Sequence, residues 1–234
     1  MKFFFVTLLI ILNNAAYSQT YSVEYESREQ DQTVKITEIF NDTISILKLN
    51  INEILQTKND VLFIKNKLNN ICYYKENFMN VAFYVSDTLN NFKWELMEDS
   101  MFILDKKCLS AKTSFRGRTY IAYYSPQYTN SDGPWKFCGL PGLILYVKSI
   151  DNYLEYKAVK IIENCTKEIE NYDYSRYKFS TWNEFVDDYK KTITKYFKTL
   201  RSNGTIKEGN TITIKLPSRE LFFPELQTEN GLTN

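Results

Sequence analysis

The chain has 234 residues, with 29 Lys+Arg against 28 Asp+Glu, four cysteines and no histidine. Without histidine there is no Ser-His-Asp or Cys-His nucleophile pair, no HExxH zinc site and no imidazole pH switch. A formal net charge of +1 lacks the basic excess of a nucleic-acid binder, and 44% hydrophobic residues suits a folded chain, not a disordered one.

The first element is a leader. Met1-Lys2 precedes the apolar run Phe3–Leu12, and small residues follow, ending Ala16-Tyr17-Ser18. A cationic start, about ten apolar residues and small side chains at −3 and −1 predict a signal peptide over 1–18, with Gln19 as the mature N-terminus. The run is too short to cross ~30 Å of hydrocarbon as a helix. No cysteine follows the cleavage site, so no lipoprotein anchor is indicated, and no later stretch reads as a transmembrane segment. Losing Lys2 leaves basic and acidic side chains equal at 28 each. Residues 19–234 are then expected to form a single domain.

Alternation of apolar residues, the mark of a half-buried strand, begins at Tyr21, Val23 and Tyr25. Ile44 and Ile46 continue it, and Leu47, Leu49 and Ile51 take the opposite phase, which suits a bulge or a change of strand. Residues 53–80 are ambiguous. Val81, Phe83 and Val85 alternate, then Phe92, Trp94 and Leu96 follow a polar Ser86–Asn91 connection, which reads as a hairpin. Thr113 and Phe115 lead into an Arg116-Gly117-Arg118 turn, and Tyr120, Ala122 and Tyr124 run back. Leu143, Leu145 and Val147 are followed, after Asp151-Asn152, by Leu154, Tyr156 and Ala158. Trp182, Phe185, Val186, Tyr189, Ile193, Tyr196, Phe197 and Leu200 fall at steps of three and four, one apolar face of a helix. Thr181 with Glu184 predicts a capping box, and Gly204 lies just past the end. Ile212, Ile214 and Leu216 make a last strand that Pro217 ends. The expected fold is mainly β, a curved, half-barrel-like antiparallel sheet with one amphipathic C-terminal helix packed on it.

Cys72, Cys108, Cys138 and Cys165 contain no close pair of the zinc-ribbon kind, so no metal site is read from them. In an oxidising compartment an even count favours disulfides. Three pairings are open; Cys108 with Cys138 is preferred because both sit beside strands in the best-patterned part of the chain. Buried thiols are the alternative.

The segment Ser131-Asp132-Gly133-Pro134-Trp135-Lys136-Phe137-Cys138-Gly139-Leu140-Pro141-Gly142-Leu143-Ile144-Leu145 holds three of the seven glycines and two of the five prolines. Pro141-Gly142 suits a type II turn, Gly133-Pro134 an earlier bend, and the apolar run after them a buried strand. Neither phosphate-loop pattern is present. Gly133, Pro134, Trp135, Gly139, Leu140, Pro141, Gly142, Leu143 and Ile144 are therefore read as structural.

Gly139 to Ile144 spells the signature of the GLPGLI family, exported proteins of Bacteroidota-type bacteria. Trp94-Glu95-Leu96, Cys108-Leu109-Ser110-Ala111 and Phe115-Arg116-Gly117-Arg118 also resemble family blocks. So does Ala122-Tyr123-Tyr124-Ser125-Pro126, where Ala-Trp-Tyr-Thr-Pro would be expected. The resemblance covers about residues 92–161. It implies an exported, β-rich protein of the periplasm, the outer membrane surface or the medium, and it carries no catalytic residue across, because the family has none assigned.

Glu95 with Glu98 and Asp99 could serve glycoside hydrolysis, but close pairs are unavoidable among 28 acids. Asp173, Asp187 and Asp188 lack a calcium-loop pattern. Neither cofactor nor catalytic residue is expected, and the function expected is non-enzymatic binding of an envelope or secreted protein. Two alternatives stand. A sheet covering an aromatic helix resembles the half-barrel of periplasmic lipoprotein carriers, whose concave face could shelter lipid; surface Tyr or Trp could stack on carbohydrate. Thr43, Thr88 and Ser100 each sit in an Asp-Ser/Thr-apolar tripeptide resembling the O-glycosylation acceptor of such bacteria.

Overall fold

The computed structural model describes residues 19–49, 61–78, 81–89, 91–167, 169 and 176–205, with 213–214, 220, 227–228 and 231–233 further on. The leader over 1–18, and Ile51, Asp173, Ile212, Leu216 and Pro217, lie outside the described residues.

Strands β1 (Tyr21–Glu29), β2 (Gln32–Phe40), β3 (Ile44–Leu49), β4 (Val61–Asn66), β5 (Ile71–Phe78) and β6 (Val81–Thr88) form one antiparallel meander. A second consists of β7 (Glu95–Ile103), β8 (Lys106–Phe115), β9 (Arg118–Ser125), β10 (Leu143–Ser149) and β11 (Leu154–Ile162). They join through β1 and β11, which pair antiparallel along almost their whole lengths. The short β12 (Ser180–Thr181) adds in parallel outside β6, giving a 12-stranded open sheet in the order β12-β6-β5-β4-β3-β2-β1-β11-β10-β9-β8-β7. It leads directly into α1 (Trp182–Ser202). Near the C-terminus β13 (Thr213–Ile214), β14 (Gln227–Thr228) and β15 (Gly231–Thr233) make a small separate sheet.

The expected hairpin of Val81–Val85 with Phe92–Leu96 does not form. β6 pairs with β5 and β12, β7 pairs with β8, and the two stand at opposite sides of the sheet. That placement forces curvature. Ten strand spacings separate β6 from β7, roughly 48 Å if the sheet were flat. The chain from Thr88 to Glu95 reaches at most about 25 Å. The sheet must therefore curl until its two sides approach each other.

Other expectations hold. The phase change after Ile46 is a bulge: the β3–β4 register shifts between Leu47 and Lys48. Phe115 pairs with Arg118 across Arg116 (φ 44) and Gly117 (φ 84), a two-residue turn whose positive φ values match the twist of a hairpin.

In α1, Phe185, Tyr189, Ile193 and Phe197 are buried at steps of four. The Thr181–Glu184 capping box is made in both directions, and Gly204 follows the cap residue Asn203 at φ 78. The helix lays its face on β6, where the Phe83 ring meets Phe185 at 5.3 Å and Tyr189 at 6.4 Å. Among the described residues no helix is long and apolar enough to cross a membrane. Phe185→Ala empties this contact and is expected to cost roughly 3–5 kcal/mol in denaturant unfolding, with the strand signal in circular dichroism retained.

Candidate functional site

The connection from β9 to β10, residues 126–142, carries the sequence signature, and the curved sheet wraps around it. Trp135 and Phe137 meet Tyr120 of β9 and Phe115 of β8, and Phe137 also meets Tyr156 of β11. Asp132 reaches Lys65 of β4, and Lys136 reaches Tyr74 of β5 and Asp87 of β6. One segment touches both meanders from the concave side. Trp135, Phe137 and Leu140 are among the most completely buried large side chains of the molecule.

Gly133 and Gly142 of the signature each have a local steric cause. A Cβ on Gly142 would lie 2.3 Å from the Ser125 carbonyl oxygen, and its φ of 153 is one that side chains rarely adopt. A Cβ on Gly133 would meet Ile144 Cβ at 2.7 Å, so the first bend packs directly on the end of the hexapeptide. The expected type II turn at Pro141-Gly142 is replaced by a tighter one: the Gly142 amide donates to the Leu140 carbonyl at 2.8 Å, a three-residue turn centred on the exposed Pro141. The bend at Pro134 closes when the Phe137 amide donates to the Pro134 carbonyl, with Trp135 at φ 55 where such a turn ordinarily holds glycine. Leu143 and Ile144 open β10. The Ile144 amide donates to the Asp132 carbonyl, its carbonyl accepts from Tyr25 Oη, and the β9–β10 register slips after it.

Two buried ion clusters fasten the segment, and both escaped the sequence reading. In the first, Lys65 lies between Glu38 and Asp132 and also donates to the Gly133 carbonyl; Lys67 pairs with the other Asp132 oxygen, and Ser45 donates to Glu38. Glu38, Lys65 and Asp132 are at most 1% exposed. Burial and the Asp132 charge outweigh Lys65 at Glu38, whose carboxyl is pushed up to about 7. At Asp132 burial acts in the same upward sense, but Lys65 and Lys67 together hold the carboxyl below the ordinary aspartate range.

In the second cluster Lys136 donates to Tyr74 Oη at 3.0 Å, to Asp87 at 2.8 Å and to Glu220 at 2.8 Å. Arg116 holds Asp87 in a two-toothed pair, also reaches Glu220, and stacks 3.4 Å from the centre of the Trp182 ring. Burial pushes the Asp87 carboxyl up, but the Arg116 and Lys136 bonds bring it below its usual range. Arg116 and Asp87 come from opposite sides of the sheet order, so this pair bridges the gap that curvature narrows. A sequence signal existed for both clusters: Lys65 follows buried Phe63 and Ile64, and Lys136 stands between Trp135 and Phe137.

Of the remaining candidates, the expected Cys108–Cys138 bridge is not made. All four cysteines are thiols, and Cys108 Sγ turns back to the Lys106 carbonyl 3.5 Å away in its own hairpin. Thr43 is half-buried in the β2–β3 turn and donates to Asn41. Thr88 and Ser100 are exposed, although Asp87 beside Thr88 is locked in the second cluster. Glu95, Glu98 and Asp99 are exposed along β7, and Asp187 and Asp188 along α1. Among the described residues no group of acids, cysteines or histidines could hold a metal ion. A polar cavity of about 310 Å³ adjoins the first cluster, lined by Asp42, Lys67, Thr129, Asn130, Ser131 and Cys138 among others. Across it Asn130 donates to Asp42 at 2.8 Å. The site thus offers tightly neutralised charges and packed rings, an arrangement suited to holding a loop.

Gly142→Ala meets backbone and a forbidden φ, so it is expected to cost about 3 kcal/mol or more. Gly204→Ala, with nothing within 4 Å, should cost only about 1 kcal/mol; paired urea titrations compare them. The pH response also has a definite sign. Glu38 binds its proton more tightly folded than unfolded, so its stabilising share is complete below the ordinary 4.5 and is lost as pH rises towards about 7. Asp132 and Asp87 act oppositely, with stability present above the ordinary 3.8 and lost as pH falls. Glu38→Gln is expected to flatten the Tm profile between about pH 4.5 and 7 by several degrees, at roughly 2–4 °C per kcal/mol, and to leave the acid limb in place.

No family model matches the chain, and no curated protein matches it. A solved structure of PNGF-II in a P21 space group has a TM-score of 0.54 at 19% identity, over 73% of this chain and 33% of that one. A second PNGF-II structure, in a C2 space group, has a TM-score of 0.48 at 20% identity, over 70% and 30% of the two chains. The chain spans about a third of the PNGF-II chains it resembles. At this identity the first likeness establishes a shared fold: a mainly β, open, curved sheet with one C-terminal helix packed on it.

Proposed function

We propose that the chain is an exported, non-catalytic binding protein of the GLPGLI type that holds a polypeptide partner in the envelope or outside the cell, using its outer surface. The observation that carries this reading is the contrast between its two faces. The concave side, where a carrier would hold lipid, is occupied by the chain's own Trp135, Phe137 and Leu140. At the far side of the sheet, β7 and its turn expose Leu96 (65%), Phe102 (72%), Met97, Met101 and Leu104. An exposed apolar group of this kind on a monomer marks an interaction surface. The cavity beside the first cluster is lined mostly by charged, amide and hydroxyl side chains, with Leu89 and Cys138 the exceptions, which disfavours an acyl cargo.

The test replaces Phe102 with a photo-crosslinking phenylalanine analogue in chain expressed by its own host. A single adduct of defined polypeptide mass is expected, with none when the same probe replaces Asp187 on the exposed side of α1. Native mass spectrometry of residues 19–234 should show no small molecule. A lipid mass released on denaturation, with no adduct at position 102, overturns the reading.

A further inference from the structure

We propose that β7 is a receiving strand, beside which a basic, extended segment of the partner adds as one more strand of the sheet. The inference rests on the polypeptide-binding reading above and specifies its mode.

The first argument is the backbone. β7 closes the order of the sheet among the described strands and pairs on one side, with β8. Its nine residues present roughly 30 Å of amide and carbonyl groups on the other side, the template that a further strand satisfies. Pairing there gives affinity through the main chain and leaves alternate side chains to set specificity.

The second argument is shape. Leu96 pairs with Ala111 and Ser100 with Leu109, so Met97, Glu98 and Asp99 stand opposite Ser110 alone as a bulge. The bulge is fixed from below. Ser110 Oγ donates to the Asp99 carbonyl at 2.7 Å, Tyr123 Oη donates to the Asp99 carboxylate at 2.7 Å, and that carboxylate also accepts the Ser100 amide. An exposed strand held this way is ordered before any partner arrives, which lowers the entropy cost of binding.

The third argument is charge. β7 carries Glu95, Glu98 and Asp99 and no basic residue, and all three acids are exposed. Residues of an added strand directly opposite Glu95 and Glu98 would have Cβ atoms about 4.5–5.5 Å from theirs, while the Asp99 carboxylate is held by Tyr123. Lys112 of β8 stands opposite Glu95 and Lys107 opposite Phe102, so both lysines would lie two strand spacings, about 10 Å, from the added strand. The β7 acids, Glu98 above all, are therefore the charges nearest an added strand. Antiparallel pairing of two copies of β7 centred on Met97, Glu98 or Asp99 would set acid against acid, which disfavours self-association in those registers. A partner strand with lysine or arginine opposite residues 95–99 and apolar side chains opposite Met101 and Phe102 meets both halves of the surface.

The probe is a blocked, fluorescent ten-residue peptide alternating Thr with Lys over one half and Thr with Val over the other, made in both orders. Two control peptides carry Glu for Lys, or one central proline. Fluorescence anisotropy with the mature chain at low salt should show saturable binding of one Lys peptide, at least tenfold weaker binding of both controls, and weakening as salt is raised. In the doubly reversed chain, Glu95→Lys with Glu98→Lys, the preference should invert in favour of the Glu peptide; both positions are exposed, and an unchanged Tm verifies its fold. Equal binding of Lys and Glu peptides, undiminished binding of the proline peptide, no saturable binding, or a dimer abolished by Phe102→Ser in sedimentation each overturns the proposal. A crosslinked polypeptide at position 102 together with any of these results would leave the binding reading standing and discard strand addition.

Discussion

A connecting segment ordinarily runs over the surface, because its backbone groups need water. Here residues 132–138 of the β9–β10 connection run through the inside of a curved sheet, and several backbone groups of the connection find particular partners. Gly133 gives its carbonyl to Lys65, Cys138 gives its carbonyl to the Trp94 indole, and the Gly139 amide finds Ser131 Oγ. The Asp132 carbonyl takes the Ile144 amide. Filling the sheet from within removes the cavity that curvature would otherwise create, and packing of that density is what makes the curvature stable.

The two charged residues carried inward by the segment fix how it sits. Asp132 and Lys136 have opposite signs and meet opposite charges: the aspartate finds Lys65 and Lys67, and the lysine finds Asp87 and Glu220. Buried ion pairs add little net stability compared with apolar packing, yet leaving one partner alone costs about 3–5 kcal/mol. Their effect is therefore on register. A slip of four residues would bring one of them to the other's cluster, among like charges, and leave several charges buried without compensation. The second cluster also ties α1 to the arrangement, since Trp182 at its first position covers Arg116 and Lys136.

The sheet fills much of its concave side with its own loop, through Trp135, Phe137 and Leu140. β7 is where the enclosure ends: only Ile103 of its nine residues is buried, while its inner neighbour β8 alternates as a half-buried strand should. The fold shared with part of the longer PNGF-II chain shows that the architecture also occurs within larger proteins.

Local patterns were legible in the chain. The capping box of Thr181 and Glu184, the four-residue steps of the helix, the Arg116-Gly117 turn and the bulge after Ile46 all depend on neighbours within a few positions, and periodicity reports such neighbours. The density of glycine and proline around residues 133–142 likewise marked a backbone held in unusual shapes. Other features rest on residues far apart in the chain. β6 and β7 look like a hairpin because they are consecutive and alternate, but hydrogen bonding with β5 and β8 sends them to opposite sides. Lys65 with Asp132, and Lys136 with Asp87, are separated by 67 and 49 positions, and nothing local reveals that a buried lysine has a partner. The sequence by itself determined several of the strands outside residues 53–80, the helix and the place where the backbone needs glycine; the tertiary structure decided which strands pair, how the buried charges are neutralised and which of the described strands ends the sheet, because those outcomes depend on the desolvation and closure of the whole sheet at once.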